Sequence, residues 1–241
     1  MGAMMDFSEI ERVLVVTAHP DDVDFGAAGT VANMTDVGIE VVYCLVTDGQ
    51  AGGFDHSIPR SEMASIRREE QTKAGAEVGV TRLEFLGHMD GEVVADLDLR
   101  RDISKIIRQV RPQVVITHNP MRSLASTYGS HPDHIATGEA TMCAVYPDAR
   151  NPFAFPGTDC AENADWAVDE VWVMLGPDSN DFVDITAQID RKMRALRCHV
   201  SQHRDPDAME ERVRAWWQNI AAERGRPEGT SAEAFHVVDT R

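Results

Sequence analysis

Short apolar runs rich in β-branched residues recur along this chain, separated by stretches of helical character. Val13 to Ala18, Glu40 to Thr47 and Val114 to His118 are too short for buried helices. They are too continuously apolar for half-exposed strands, so they read as strands covered on both faces. Arg82 to Leu86 is a further strand. Between them, Phe25 to Asp36, Ser61 to Val78, Leu99 to Val110 and His134 to Val145 read as helices. Ser61 is placed to cap the second of these, Gly79 follows its end, and Pro112 stops the third. Glu170 to Leu175 is another strand, Ile185 to His199 and Ala208 to Glu223 are C-terminal helices, and Phe235 to Val238 is a short closing strand. The βαβαβ rhythm implies an α/β fold: a Rossmann-like, mainly parallel sheet with helices on both faces. At 241 residues and 43% hydrophobic, the chain suits a single domain over 1–241.

The residues at the exit of the first strand are the next constraint. A dinucleotide-binding domain would carry a glycine fingerprint there. This chain has Thr17-Ala18-His19-Pro20-Asp21-Asp22, and Gly26 and Gly29 lack the spacing. A second group, Ser130-His131-Pro132-Asp133-His134, lies shortly after the strand at 114–118. In an open α/β sheet the carboxyl ends of strands line the ligand crevice, so both segments arrive at one place. His19, Asp22 and His134 form a mixed nitrogen and oxygen donor set that suits Zn²⁺ and also accepts Fe²⁺. Such an ion lowers the pKa of a bound water towards ~7. Asp21 is then free to act as general base. His131 can stabilise an oxyanion and protonate a leaving amine, with Asp133 holding it cationic. Asp24 reads as a cap for the following helix, and His118 as a crevice residue behind the ligands. Gln50 to Pro59 reads as a mobile loop, Tyr146 to Asp165 as a long irregular one. Both are expected to set what the crevice accepts.

The charge balance narrows the partners. With 23 basic and 40 acidic side chains the net charge is -17, which repels nucleic acid and anionic membranes. No apolar run approaches the ~20 residues of a membrane span, and no secretory signal is apparent in Met1 to Glu11. The four cysteines show no metal-knuckle spacing, which suits a cytoplasmic protein. Trp216 and Trp217 cannot both face the core; ordinary packing is the default reading, and one of them would otherwise cover a cleft or a contact in a homo-oligomer.

The two motifs together resemble the PIG-L (LmbE-like) family of metal-dependent N-acetylglucosaminyl deacetylases. Arg67-Arg68-Glu69-Glu70, Phe85-Leu86-Gly87 and His199-Val200-Ser201-Gln202 extend the resemblance over roughly the first 200 residues. The resemblance implies metal ligation by His19, Asp22 and His134, and catalysis by Asp21, His131 and Asp133. It further implies sugar contacts from Arg67 and Asp90, and a small amino-sugar substrate losing an N-acyl group. Two rivals stand beside it: an amidase acting on a thiol conjugate, and a non-catalytic sugar- or metal-binding protein on the same fold.

Overall fold

Alternation inside the buried strands decides how the layers form. The computed structural model describes residues 7–124, 127, 130–176 and 178–241. In chain order the elements are β1 (Arg12–Thr17), α1 (Asp22–Gly26), α2 (Ala28–Asp36), β2 (Glu40–Thr47), α3 (Arg60–Glu77), β3 (Arg82–His88) and α4 (Leu97–Val110). There follow β4 (Val114–His118), α5 (Pro132–Cys143), β5 (Glu170–Met174), β6 (Asp181–Asp184), α6 (Ile189–Arg197), α7 (Pro206–Glu223) and β7 (Ala232–Asp239). Val13 and Val15 of β1 face a core shared with α2, α6 and α7. Leu14 and Val16 face the opposite core, filled by α4 and α5. Successive strand side chains point to opposite faces, so a strand apolar throughout must be covered twice.

The sheet order is β3-β2-β1-β4-β5-β7-β6. The first five strands pair in parallel, while β7 runs antiparallel between β5 and β6. From β1 the chain winds outward to β2 and β3, then returns to the other side of β1 for β4. That reversal opens a crevice beyond the carboxyl ends of β1 and β4, where ligands bind in folds of this class. No helix among the described residues is long and apolar enough to cross a membrane.

Several expectations are corrected. The helix expected over Phe25–Asp36 is two helices, parted where Ala27 leaves helical geometry (φ -145°). Asp24 does not cap α2. Glu233 of β7 does so instead, accepting from the amides of Gly29 (3.0 Å) and Thr30 (2.7 Å). This buried carboxylate also pairs with Lys192 of α6 at 2.7 Å. A carboxylate at a helix start satisfies free amides and meets the positive end of the helix dipole. Ser61 lies inside α3, whose cap position is Pro59. The edge strand β6 carries too few residues to signal itself, and β7 is longer than Phe235–Val238 because it pairs on both sides. All four cysteines are free. Trp217 is in the core, whereas Trp216 stacks on it from outside.

The segment 146–165 does not border the crevice. Arg108, near the C-terminal end of α4, is buried and donates to the carbonyls of Asp148, Ala149, Asn151, Cys160 and Asn163. Trp166 donates to Pro112 O at 2.7 Å. Because α4 runs antiparallel to the strands, these bonds fasten the segment to the end of the sheet away from His19. The expectation that it selects the substrate is therefore overturned.

Candidate active site

His19 follows β1 directly, and His134 lies in the first turn of α5, which starts beyond β4. Asp22 is the first residue of α1, and its Oδ2 accepts from the His19 amide at 2.7 Å. The three side chains converge. His19 Nδ1 lies 3.2 Å from His134 Nε2 and 3.4 Å from Asp22 Oδ2, and His134 Nε2 lies 3.1 Å from Asp22 Oδ1. Two donors each bound ~2.05 Å from one tetrahedral ion stand ~3.3 Å apart. Each of the three separations is close to that spacing, the two to Asp22 running to different oxygens of its carboxylate, so the donor set fits a divalent ion.

The surroundings strengthen that fit. His19 Nε2 lies 3.1 Å from Asp133 Oδ2 and 3.2 Å from Asp90 Oδ1. Carboxylates only accept, so Nε2 carries the proton and Nδ1 is left free to coordinate a metal ion. A carboxylate behind a liganding histidine fixes the tautomer in this way. In the free protein, burial opposes a charged His19 ring, but hydrogen bonds to Asp133, Asp22 and Asp90 outweigh it and push the pKa up to about 12. Burial likewise opposes charge on Asp22, yet His134 and His118 hold its carboxyl well below the usual range. A pit so rich in carboxylates calls for a cation.

Asp133 does not hold His131 cationic. Its carboxylate accepts from Gly91 N (2.7 Å) and faces His19, while its own amide donates to His131 Nδ1 at 3.2 Å. With Nδ1 accepting, the neutral ring of His131 carries its proton on Nε2. Burial, followed by the neighbouring His19 charge, lowers the His131 pKa. Its ring stands edge-on to His19, with 5.0 Å between centroids.

Asp21 has left-handed backbone geometry (φ 93°) and a partly exposed carboxylate. Burial and the Asp22 charge raise its pKa, with Arg67 opposing between them. Arg67 is buried beneath the loop after β2. It donates to Gly49 O (3.0 Å), Asp21 Oδ2 (3.0 Å) and Pro20 O. A Cβ on Gly52 would stand 2.5 Å from the Arg67 guanidinium and 2.6 Å from Gln202 Oε1, so the loop backbone packs closely on both side chains. Asp90 accepts from Ala51 N at 2.9 Å besides facing His19. The expected mobile loop is thus anchored along its first half, at Ala51 and, through Gln202, at Gly53.

His118 lies in the crevice as expected, buried with Nε2 3.1 Å from Asp22 Oδ2, its ring stacked on His134 at 4.1 Å. Sequence reasoning missed two things. Asp24 is fully buried and accepts from Gln71 and His199. Glu70 binds Ser201 through both backbone amide (2.7 Å) and hydroxyl (2.8 Å), which fixes the 199–202 segment against α3. The signal available for both was polar residues on otherwise core-facing helix positions.

Comparison with known proteins agrees with this geometry. The family model described as PIG-L, GlcNAc-PI de-N-acetylase, matches residues 14–145. The chain belongs to the PIG-L family. Diacetylchitobiose deacetylase of Thermococcus kodakarensis is 32% identical, over 92% of this chain and 81% of its own length. A probable N-acetyl-alpha-D-glucosaminyl L-malate deacetylase 2 of Bacillus subtilis is 32% identical, over 80% of this chain and 83% of its own. The structure of N,N'-diacetylchitobiose deacetylase from Pyrococcus horikoshii superposes with a TM-score of 0.87 at 30% identity, covering 97% of this chain and 86% of that one.

Proposed function

We propose that this chain is a metal-dependent N-deacetylase that hydrolyses the acyl amide of an amino sugar or amino-sugar conjugate. His19, Asp22 and His134 hold the metal, and Zn²⁺ is the ion their donor atoms favour. Relatives named as deacetylases of acetylated amino sugars support the reaction class. The observation that carries the reading is the His19–Asp22–His134 triangle with the unliganded Asp21 carboxylate beside it. The chain acts in this reading as one domain over 1–241.

A divalent ion held there would supply Lewis acidity and would make a water acidic near neutral pH. Asp21 takes the proton of the attacking water, and its raised pKa suits a base working near neutrality. Arg67 fixes that carboxylate's direction by its 3.0 Å pair. His131, at the exposed mouth, presents Nε2–H to the acyl oxygen as negative charge develops on it. The proton held by Asp21 then passes to the departing nitrogen, since a neutral His131 has none to give without becoming an anion. Arg67 and Asp90, expected to meet sugar hydroxyls, direct their polar atoms at Asp21, Gly49, Ala51 and His19. We assign them to shaping the pit.

The test is a panel of N-acetylated amino-sugar conjugates assayed for free amine with the Zn²⁺ and Fe²⁺ forms. Asp21→Ala is expected to keep its metal and lose roughly 10²–10⁴-fold in turnover. His19→Ala is expected to lose the metal. An Asp21→Ala enzyme with near-native turnover refutes the base assignment.

A further inference from the structure

The left-handed geometry of Asp21 (φ 93°) is costly for a residue bearing a Cβ, so something must hold it. Its amide donates to Gln71 Oε1 at 2.7 Å, fifty positions along the chain. Gln71 Nε2 donates to Asp24 Oδ2 at 2.9 Å, and His199 Nε2 donates to the same oxygen at 2.8 Å. Gln71, Asp24 and His199 are all fully buried, and they come from α3, α1 and the turn after α6. The logic of donors allows one arrangement. Asp24 as a carboxylate only accepts, so Gln71 must turn its NH₂ towards it. The Gln71 carbonyl is then left facing the Asp21 amide and cannot flip away. Asp24 Oδ1 and His199 Nδ1, both buried, find no partner among the described residues. An unsatisfied buried polar atom lowers stability, so whatever the His199–Asp24 pair contributes to stability does not by itself explain the whole cluster.

We propose that Gln71, locked by Asp24 and His199, is a positioning residue that holds the Asp21 backbone so that its carboxylate is aimed at the attacking water. This rests on the reading of Asp21 as the base. Gln71 touches no reacting atom and acts only through Asp21.

The experiment is a double-mutant cycle in the zinc-loaded protein, comparing wild type, Gln71→Met, Asp21→Ala and the double variant. It is joined to hydrogen–deuterium exchange of residues 19–25 in the metal-free protein. Gln71→Met is expected to lower kcat roughly 10- to 100-fold, since small misplacements of a reacting group have costs of that order. KM and zinc stoichiometry stay at wild-type values, and exchange at 19–25 quickens. In the Asp21→Ala background the same change should cost less than about twofold. An equal loss in both backgrounds, or a Gln71→Met protein with unaltered kcat and exchange, overturns the positioning role. Near-native turnover in Asp21→Ala would instead strike the base assignment, and the exchange measurement would still report on Gln71. Should Gln71→Met fail to fold, Asp24→Asn, which frees the Gln71 amide to turn over, is carried through the same cycle with the same outcomes.

Discussion

His199 and Asp24 sit 2.8 Å apart with no exposed surface on either. Burial disfavours the charged imidazole, but the hydrogen bond and charge of Asp24 more than reverse this, so its pKa is raised. The folded value lies above the ordinary 6.5. The unfolded chain therefore binds fewer protons as pH rises past 6.5, and the pair's stabilisation is complete below that point and fades as pH climbs through the folded value. His199→Gln is expected to destabilise the metal-free protein by about 2 kcal/mol at pH 6, with the difference from wild type narrowing towards alkaline pH. Thermal melts of both proteins from pH 5.5 to 9 would show it, and a pH-independent difference would refute it. The residues of the site were largely legible at this scale. The His-Pro-Asp-Asp and His-Pro-Asp-His segments crowd ligands too densely for ordinary turns. The partnership of Asp133 with His19 was not legible, because it depends on how the loop after β3 presents Gly91 to the same carboxylate.

The placement of α5 over β4 depends on one glycine. A Cβ at Gly138 would stand 2.5 Å from His118 O and 3.0 Å from Pro120 N, both backbone atoms that cannot turn aside. In an exposed helix, alanine for glycine would stabilise by up to ~1 kcal/mol. Here the clash outweighs that gain, and overpacking of this kind costs about 1–3 kcal/mol. Since α5 carries His134, a ligand in the proposed metal site, Gly138→Ala is expected to lift its ring away from His19 and weaken zinc binding while the protein remains folded. Competition with a chelating dye measures this directly, and wild-type affinity would count against it. The elements themselves followed from pattern. Strands were read from continuous apolar runs and α3 from its helical character and the glycine after it. The division at Ala27 was not readable, because the signal that starts α2 is Glu233, 204 residues after Gly29.

Across the whole molecule the two segments of the proposed metal site are 115 positions apart, so that site does not exist in the unfolded chain. An ion that binds only the folded state stabilises it by mass action, about 2.7 kcal/mol at a concentration one hundred times Kd. Zinc is therefore expected to raise the melting temperature of the metal-free wild type and to leave that of His134→Ala nearly unchanged. Calorimetry of both proteins with and without zinc decides it, and equal shifts would place the ion elsewhere. The same scale corrected the reading of segment 146–165. Its composition marked an irregular loop, yet five carbonyls gathered on Arg108 fix it to the far end of the sheet.

By itself the sequence determined the α/β class, and it pointed to the two strand exits and the three side chains that the fold brings together. Each of these is carried by local pattern: apolar continuity, helical character and ligand density. Only the tertiary structure decided which carboxylate serves which imidazole, what secures the Asp21 backbone and which loops border the crevice. Those depend on side chains meeting across the fold from positions far apart in the chain, and no local pattern records such meetings.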